Sequence, residues 1–410
     1  MIVTFLARRL APPAPAPNRH DPDLHALRGI AALIVCAFHL FNELPGMPFW
    51  VSYLFPGHAA VLLFFVLSGY VIGLVNTRPW STTSVGDYWR RRLARLLPLY
   101  VLAVLFAFGV AYALGRPAGP GALIHHLLAL QSFNCYGPFD LPPIWTNGAL
   151  WSLNHELLYY TLFLVVWAWS PRVGALLSTC LLLAGLAIAL PKGGVFFGAY
   201  ATGFIFWLSG LALAWLAPSS PSPVPRRFPV LALLLLLAAG EHADTVKVGL
   251  AWLGYDLDRL SFVNLGDLAL LAPCVLLVGG ATRRLPRPGA LPLFLCLAPP
   301  LATLAAALFT GHSLADPRWG YVAASTLIGA CLLAGGAGAR SLRHFAPLGD
   351  ISYALYLFHQ PIQALCQHAL PAHAVIAAFL ALVASLGAAW LLEKRLQPRL
   401  LSLLRLSPGR

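Results

Sequence analysis

The sequence predicts an all-α protein, a polytopic bundle of about 10–12 transmembrane helices. Of its 410 residues, 59% are hydrophobic and 10% are charged, whereas soluble globular proteins carry about 25% charged residues. Apolar runs long enough to span a bilayer occur at residues 28–45, 56–76, 95–115, 146–169, 173–190, 195–217, 263–282, 290–310, 320–338, 348–369 and 372–393. A further run at 229–240 is short for a span. This composition excludes a soluble globular domain.

Basic residues predict the orientation of the chain in the membrane. With the N-terminus in the cytoplasm and 229–240 counted as a span, 22 of the 27 Lys and Arg residues fall on the cytoplasmic side, as positively charged loops do. Both termini are then cytoplasmic, and we expect a multi-pass protein of a bacterial inner membrane. The net charge of +13 is spread over short loops, so topology accounts for it and nucleic-acid binding is not expected.

We predict three parts: a proline-rich cytoplasmic segment at 1–21, a transmembrane domain at 22–395 and a cytoplasmic tail at 396–410. The first segment has too short an apolar run and too much proline for a cleaved signal peptide. The connection at 116–145 could serve as a cap over a substrate opening or as a plain surface loop, and 217–227 reads as a linker. The seven cysteines show no metal-type spacing, so we expect no structural metal and no disulfide framework.

Two ionisable residues lie in the first apolar run, LRGIAALIVCAFHLF. Arg28 and His39 are separated by eleven residues, or three helical turns, so both project from one face about 16 Å apart. Ionisable residues inside a membrane are costly and usually face the bundle interior or a water-filled cavity. A neutral imidazole accepts protons near physiological pH, so His39 is a candidate general base. The alternative is a histidine that hydrogen-bonds a neighbouring helix.

Four polar residues share a similar depth in their predicted spans. His39, Ser68, Glu156 and His359 each lie about ten to twelve residues in, which places all four near the middle of the bilayer. We therefore predict that they line one cavity. Glu156, one turn after Ser152 in WSLNHELLYY, must be paired, hydrogen-bonded or protonated if buried. It is expected either to orient or charge-couple His39 or to form a salt bridge with an arginine.

An arginine cluster precedes the third span in YWRRRLARLLPLY, where Arg90, Arg91, Arg92 and Arg95 occur. Guanidinium groups suit bidentate binding of phosphate, so the cluster could hold a phosphorylated cosubstrate at the inner membrane surface. Ordinary anchoring of a cytoplasmic loop explains the same residues equally well. The sequence leaves both explanations open.

Two further segments carry polar or small residues. In FFVLSGYVIG, Ser68 and Gly69 suit close helix packing, and a narrow passage for a slender acyl arm would use the same side chains. In LGDISYALYLFHQPI, Ser352, Tyr356 and His359 fall on one face, which favours cavity lining, and Pro361 is expected to break the helix beyond them. No phosphate-binding glycine loop, GxSxG or HExxH motif occurs, so soluble-hydrolase chemistry is not supported.

Five segments in this order, LRGIAALIVCAFH, FFVLSGYVIG, RRRLARLLPLY, LWSLNHELLYY and LGDISYALYLFHQP, resemble the integral-membrane acyltransferase family 3 over residues 22–395. The resemblance implies a transmembrane O-acyltransferase with no permanently bound cofactor. Its cosubstrate would be a cytoplasmic acyl-CoA, commonly acetyl-CoA. Its acceptor would commonly be a sugar hydroxyl of a cell-surface glycan or glycolipid.

The resemblance also implies roles for individual residues. We assign catalysis to His39, as the base, with Arg28 and Glu156. Donor binding falls to Arg92, Arg95, Arg91 and Ser68, with Arg92 and Arg95 expected to meet the phosphates of coenzyme A. Acceptor binding is assigned to Ser152, Ser352, Tyr353, Tyr356 and His359, and no residue is assigned to a metal.

The chain also departs from the family pattern. His25 stands where an acidic residue is often found three positions before the first-helix arginine, which puts an ion pair there in doubt. Asn154 and His155 precede Glu156 where small or aliphatic residues are more usual, a change that would alter polarity on the acceptor side. No soluble transferase domain follows the last span, so we expect acceptor handling within the membrane or by a separate protein.

These assignments predict a mechanism. The arginines hold the nucleotide end of the donor, the thioester reaches toward the middle of the membrane, and His39 deprotonates an acceptor hydroxyl arriving from the opposite side. Direct transfer is the simplest form, and an acyl-enzyme relay on Ser68 or Ser352 is the alternative. A rival class is a proton-coupled secondary transporter with His39, Glu156 and His359 as its relay, although no internal repeat is present. A scaffold or flippase-like partner without chemistry would leave the shared depth of the polar residues unexplained.

Overall fold

The computed structural model describes residues 2–403 apart from 11, 13–20, 45–46, 132–143, 190–194, 217–226, 257–262 and 286–288. The described residues form α-helices, short 3₁₀ and π turns and two isolated β-bridges, with no strand among them. This all-α bundle confirms the predicted fold class. Most of the proline-rich segment, the linker at 217–226, the middle of the 116–145 connection and the last seven residues lie outside the described part.

The α-helices of the described residues are numbered in chain order. They are α1 Ile2–Ala7, α2 Pro22–Asn42, α3 Gly57–Val75, α4 Thr82–Ala113, α5 Pro120–Leu127, α6 Trp151–Trp169, α7 Val173–Ala189, α8 Val195–Leu216, α9 Val230–Ala243, α10 Thr245–Trp252, α11 Leu271–Ala281, α12 Ala290–Phe309, α13 Pro317–Ala334, α14 Ala346–Gly349, α15 Ser352–Ala369, α16 Ala374–Leu391 and α17 Gln397–Leu403. The 3₁₀ helices are Phe49–Leu54, Gly148–Leu150, Leu265–Leu270 and Arg343–Phe345, and a π turn, Leu392–Leu396, joins α16 to α17.

Each predicted apolar run coincides with a helix. Within the described part, six helices are long and apolar enough to cross a membrane: Pro22–Asn42, Trp50–Val75, Thr82–Ala113, Gly198–Leu216, Ala290–Phe309 and Ala374–Leu403. Two shorter apolar helices are Val173–Gly185 and Leu265–Ala281. The protein is therefore an integral, multi-pass membrane protein. The count of 10–12 spans and the cytoplasmic position of both termini stay predictions.

The arginine cluster is helical, not a loop before the third span as the hydropathy suggested. A capping box starts α4 ahead of the apolar run: the Ser81 hydroxyl accepts from the Ser84 N–H at 3.1 Å, and the Ser84 hydroxyl accepts from the Ser81 N–H at 2.8 Å. Arginine is a good helix former, so the helix runs for 32 residues through the cluster. Arg92 and Arg95, one turn apart, consequently share a face.

Glycines allow backbones to touch at two helix contacts. A Cβ built on Gly69 would lie 1.8 Å from the Trp207 carbonyl oxygen, and one on Gly210 would lie 1.9 Å from a carbonyl of α3. The axes of α3 and α8 therefore approach as closely as small-residue helix pairs in membranes do. Gly29 of α2 and Gly349 of α14 meet in the same way, with a Gly29 Cβ 2.5 Å from the Gly349 nitrogen.

Pro361 does not end α15, which runs through it to Ala369, so the predicted break is wrong. A proline removes the N–H that would bond the carbonyl four residues earlier, here that of Leu357. The side-chain amide of Asn147 donates to this carbonyl at 2.8 Å. Because the freed carbonyl is satisfied, the helix continues, and the segment before α6 is fastened to α15.

Candidate active site

A cavity of about 770 Å³ opens between α2, α3, α4, α6 and α15. Nine of the twelve predicted site residues line it, and we call it the arginine cavity. They are Arg28, Ser68, Arg92, Arg95, Ser152, Glu156, Ser352, Tyr353 and Tyr356. The rest of the wall is mainly aliphatic and aromatic, as in most small-molecule sites.

The charged groups of the arginine cavity are three guanidinium groups and the carboxylate of Glu156. Arg92 is only 7% exposed and lies over the rings of Tyr88 and Tyr160, at 5.9 and 5.7 Å from their centroids. Arg28 donates to the Ser352 hydroxyl at 3.3 Å. The excess of positive charge suits an anionic group, and guanidinium groups are well shaped for phosphate.

Glu156 accepts two hydrogen bonds on one oxygen. Ser68 donates to it at 2.7 Å, and the Tyr160 hydroxyl donates to the same oxygen. The indole N–H of the fully buried Trp207 donates to the Ser68 hydroxyl at 3.3 Å. The carboxylate therefore has the hydrogen-bonding partners that a buried charge requires. Sequence reasoning missed Tyr160 and Trp207, because aromatic residues in apolar helices are indistinguishable from core.

Tyr353 and Tyr356 connect α15 to its neighbours. The Tyr353 hydroxyl donates to the Leu96 carbonyl of α4 at 3.0 Å. The Tyr356 hydroxyl donates to the Ala149 carbonyl at 2.7 Å and lies 2.7 Å from the Ser152 hydroxyl. Its one proton goes to the carbonyl, so Ser152 donates to Tyr356. These bonds hold two polar rings at fixed positions in the cavity wall.

His39 lies elsewhere, in a second cavity of about 1850 Å³. We call this the acidic cavity. Its polar lining is His39, Asn42, Glu43, His58, Glu241, Asp244, Lys247 and Asp267, with Tyr356 and Trp151 among its aromatic residues. The prediction that His39, Ser68, Glu156 and His359 line one cavity is therefore wrong. His39 lies near the end of α2, beside the start of α3, whereas Ser68 lies further along α3 and shares the arginine cavity with Arg28. The equal depths counted from the apolar runs do not hold in the helices. No hydrogen bond joins Glu156 to His39 in the described residues.

His359, which lies beside His39, is fully buried and lines neither cavity. The ring centroids of His39 and His359 are 5.3 Å apart. His359 Nδ1 lies 2.8 Å from the Tyr356 carbonyl and 3.1 Å from the Leu355 carbonyl, and its Nε2 has no hydrogen-bond partner in the part of the chain that the structure describes. Acceptor binding by His359 stays a prediction. Because His359 packs against His39 and lines neither cavity, its location favours contact with His39 over direct contact with the acceptor.

The two cavities adjoin along the helix axes. On α2, Arg28 lines the arginine cavity and His39 the acidic one; on α3, which runs the other way, Ser68 lines the first and His58 the second. Val61 and Tyr356 line both cavities. These two residues therefore form the boundary between them.

Among the described residues, four carboxylates and one lysine line the acidic cavity, so its excess charge is opposite in sign to that of the arginine cavity. Asp267 Oδ1 lies 3.0 Å from His58 Nε2, and Glu241 accepts from the Ala59 N–H at 2.7 Å. Lys247 pairs with Asp244 at 2.9 Å. Sequence reasoning missed Glu241, which lies in the last turn of α9. The apolar run at 229–240 ends one residue before it, which was the available signal.

Arg91 lines neither cavity. Adjacent helical residues point about 100° apart, so Arg91 cannot share a face with Arg92, and it donates instead to the Asn76 side chain at 3.4 Å. His25, the residue that departs from the family pattern, lies 3.6 Å from the carboxylate of Asp350. Helix α2 is thus linked to the segment before α15 through a histidine.

The fold and the two adjoining cavities define an integral-membrane protein with polar sites inside its helix bundle. A family model described as an acyltransferase domain matches residues 21–288 and 277–394. The chain belongs to this family, the integral-membrane acyltransferase family 3, as the five segments predicted. Membership of an acyltransferase family does not support the transporter alternative.

Three relatives are similar to parts of the chain, and two of them are named as acyl- or acetyltransferases. An acyltransferase of Streptomyces mycarofaciens, MdmB, is 32% identical over 157 residues, 35% of this chain and 38% of that protein. A protein named as a candidate O-acetyltransferase in Staphylococcus aureus strain COL is 28% identical over 203 residues, 46% of this chain and 28% of that protein. Protein 2 of the picA locus in Rhizobium radiobacter is 34% identical over 194 residues, 41% of this chain and 91% of that protein. The chain thus spans 38% and 28% of the first two relatives. No solved structure matches it significantly.

Proposed function

We propose that the protein transfers an acyl group, commonly acetyl, from acyl-CoA in the arginine cavity to a hydroxyl of an acceptor in the acidic cavity. One observation carries the proposal: two adjoining cavities of opposite charge share Val61 and Tyr356 as their boundary. A donor rich in phosphate would match the positive arginine cavity, and an acceptor without negative charge would match the acidic cavity. The reacting atoms would meet at the boundary.

The donor side follows from charge and orientation. Arg92 and Arg95 would bind the phosphates of coenzyme A, since guanidinium groups form paired hydrogen bonds with phosphate oxygens. The loop charges predict that this end of the bundle faces the cytoplasm of a bacterial cell, where acyl-CoA is present. Arg28, which lines the same cavity, adds a third positive charge beside the path of the thioester.

The chemistry would be acyl transfer to oxygen. The acceptor hydroxyl oxygen bonds to the thioester carbonyl carbon while His39 takes the hydroxyl proton; the carbon–sulfur bond then breaks and coenzyme A leaves as thiolate, which is protonated to the thiol. General-base catalysis contributes typically 10²–10⁴-fold in rate. His39 opens onto the acidic cavity, so it would meet the acceptor from that side.

The acceptor would be a sugar hydroxyl of a cell-surface glycan or glycolipid, entering from the side opposite the donor. Carboxylates accept hydrogen bonds from hydroxyl groups, and four of them line the acidic cavity. Like charges brought together across an interface cost several kcal/mol. A neutral or amine-bearing sugar therefore fits this cavity better than a uronic acid or a phosphorylated sugar.

The contact of Ser68 with Glu156 supports one variant of the chemistry. A serine that donates to a carboxylate at 2.7 Å has the arrangement of a nucleophile beside a base. In that variant the acyl group passes from sulfur to the Ser68 oxygen, with the proton going to Glu156, and then to the acceptor. Mass spectrometry of the protein after acyl-CoA alone would show an acyl-enzyme in the relay and none in direct transfer.

The test of the proposed function is donor binding and transfer by the purified protein in detergent. Titration calorimetry should show that the wild type binds acetyl-CoA and that this affinity falls at least tenfold in Arg92→Ala and in Arg95→Ala. Arg90→Ala is the matched control, because Arg90 belongs to the same cluster and pairs with Asp87 at the surface. Equal affinity in all three variants, or no binding by the wild type, would overturn the assignment of the arginine cavity.

A further inference from the structure

The amide of Gln360 has a fixed orientation beside His39. Its oxygen accepts from the Ala149 N–H at 2.7 Å, and its nitrogen donates to Glu43 Oε1 at 3.3 Å. A flipped amide would point N–H groups at the Ala149 N–H and an oxygen at the carboxylate, so flipping is excluded. The amide nitrogen therefore faces His39 Nδ1, 3.0 Å away.

This orientation determines the tautomer of His39. An amide nitrogen donates and has no lone pair to accept with, so Nδ1 must be the acceptor and a neutral ring carries its proton on Nε2. In that state the Nδ1 lone pair is occupied and Nε2 is already protonated. The ring has no lone pair for an acceptor hydroxyl, and this resting arrangement cannot act as a base.

Glu43 provides the other state. It lies one turn after His39, and its Oε1 is 3.4 Å from His39 Nδ1. If the Gln360 amide keeps its bond to Glu43 and releases Nδ1, that nitrogen can carry the proton and donate it to the carboxylate. Nε2 then becomes the free lone pair. The exchange removes one proton from Nε2 and adds one to Nδ1, both through water in the acidic cavity.

We propose that Glu43 and Gln360 are positioning residues that set the tautomer of His39, with Gln360 holding the inactive form and Glu43 stabilising the active one. The inference rests on the proposed function, in which His39 is the base. Glu43 would thus take the orienting role that the sequence suggests for Glu156. The carboxylate orients the imidazole of a base in serine hydrolases in the same manner.

The test compares Glu43→Gln, Gln360→Glu and the double variant in the purified protein, with acetyl-CoA as donor and methyl glucoside as acceptor. Glu43→Gln should lower kcat about 10- to 100-fold and leave the KM for acetyl-CoA unchanged. This is less than the roughly 10⁴-fold loss at a buried dyad, because water screens a carboxylate that is 43% exposed.

Gln360→Glu keeps an acceptor for the Ala149 N–H and places a carboxylate at Nδ1, so the double variant should regain at least tenfold in kcat over Glu43→Gln. Asp316→Asn, at the start of α13 and outside both cavities, is the control.

A spectroscopic readout accompanies the kinetics. Imidazole ¹⁵N shifts identify which nitrogen carries the proton, and the His39 signals are assigned by their loss in His39→Gln. The wild type should show protonation at Nε2 and Gln360→Glu at Nδ1. Glu43→Gln within twofold of wild-type kcat, or an unchanged tautomer in Gln360→Glu, would overturn the inference and leave the proposed function intact. An active His39→Ala would instead overturn the proposed function itself.

Discussion

The Ser68 hydroxyl donates to the carboxylate of Glu156 at 2.7 Å, and this bond joins α3 to α6 on the arginine side of the bundle. Among the residues that the structure describes, Glu156 is the single carboxylate in the lining of that cavity. In the proposed function its charge would act on the donor, while His39, the proposed base, lies in the adjoining cavity. Donor and acceptor chemistry can therefore be perturbed separately by substitution.

Glu156→Gln should strengthen donor binding. The amide oxygen can still accept from Ser68, and only the negative charge that repels phosphate is removed. We expect the Kd for acetyl-CoA to fall about two- to fivefold, in line with one screened charge contact of about 0.5–1 kcal/mol. Calorimetry checks this, and weaker donor binding in Glu156→Gln would contradict it. A parallel loss of kcat by 10²-fold or more would identify the Ser68 relay.

His39→Ala should abolish transfer without changing donor binding. Loss of a general base costs about 10²–10⁴-fold in rate, and His39 lines the acidic cavity, away from the arginines. Turnover is measured as coenzyme A thiol released, and donor affinity by calorimetry. His373→Ala serves as the control, since this exposed histidine precedes α16 and forms no side-chain cap. Near-wild-type turnover in His39→Ala would contradict the prediction.

Tyr356→Ala should make the enzyme hydrolyse its donor. Tyr356 lines both cavities and its hydroxyl is fixed by the Ala149 carbonyl and Ser152. Removing the ring opens a passage for water from the acidic cavity to the thioester, and exclusion of water is what protects reactive groups in transferases. We expect thiol release without acceptor to rise severalfold over wild type. Tyr356→Phe retains the ring and should show no rise, which separates opening of the boundary from loss of the hydroxyl.

Gly69→Ala should destabilise the protein, because the new Cβ would lie 1.8 Å from the Trp207 carbonyl oxygen. Forcing α3 and α8 apart has the cost of overpacking, about 1–3 kcal/mol or more. Gly109→Ala is the matched control: Gly109 also lies within a helix, α4, and its Cβ would meet nothing within 4 Å. That variant should be neutral or stabilised by about 0.5–1 kcal/mol. Thermal unfolding in detergent measures both, and equal melting temperatures would contradict the prediction.

The predicted and observed sites differ for identifiable physical reasons. Hydropathy located the helices because apolar length is a local property. The motifs identified Arg28, Arg92 and Arg95 as site residues but assigned Arg28 to catalysis beside His39, whereas the structure places it with Arg92 and Arg95 in the arginine cavity. The separation of His39 from Glu156 depends on where each helix begins and on how neighbouring helices are offset along their axes, which residue counts within apolar runs do not encode. Glu43 was missed because it lies at the end of the apolar run at 28–45, and its contact with Gln360 joins residues 317 positions apart. Contacts of that range follow from helix packing and not from periodicity.

The connection after α4 should loosen on acidification because of His126. This buried histidine uses both ring nitrogens in its neutral form: Nδ1 donates to the Ala122 carbonyl at 2.7 Å, and Nε2 accepts from the Ile144 N–H at 3.1 Å. Burial lowers the pKa of His126 below its ordinary value of about 6.5. A proton on Nε2 would make this nitrogen a donor facing the Ile144 N–H, which is also a donor, so the hydrogen bond to Ile144 would break.

The sign of the pH dependence follows from that lowered pKa. The unfolded chain binds a proton at the ordinary value and the folded chain only at a lower pH, so the stabilisation is complete above about pH 6.5 and is lost as the pH falls below it. The difference in unfolding free energy between wild type and His126→Gln should therefore be largest near pH 8 and shrink toward pH 5. His125→Gln is the control, because the Nδ1 of His125 has no hydrogen-bond partner among the described residues. A wild-type advantage that stays constant from pH 8 to pH 5 would show that the neutral His126 ring does not fasten Ile144.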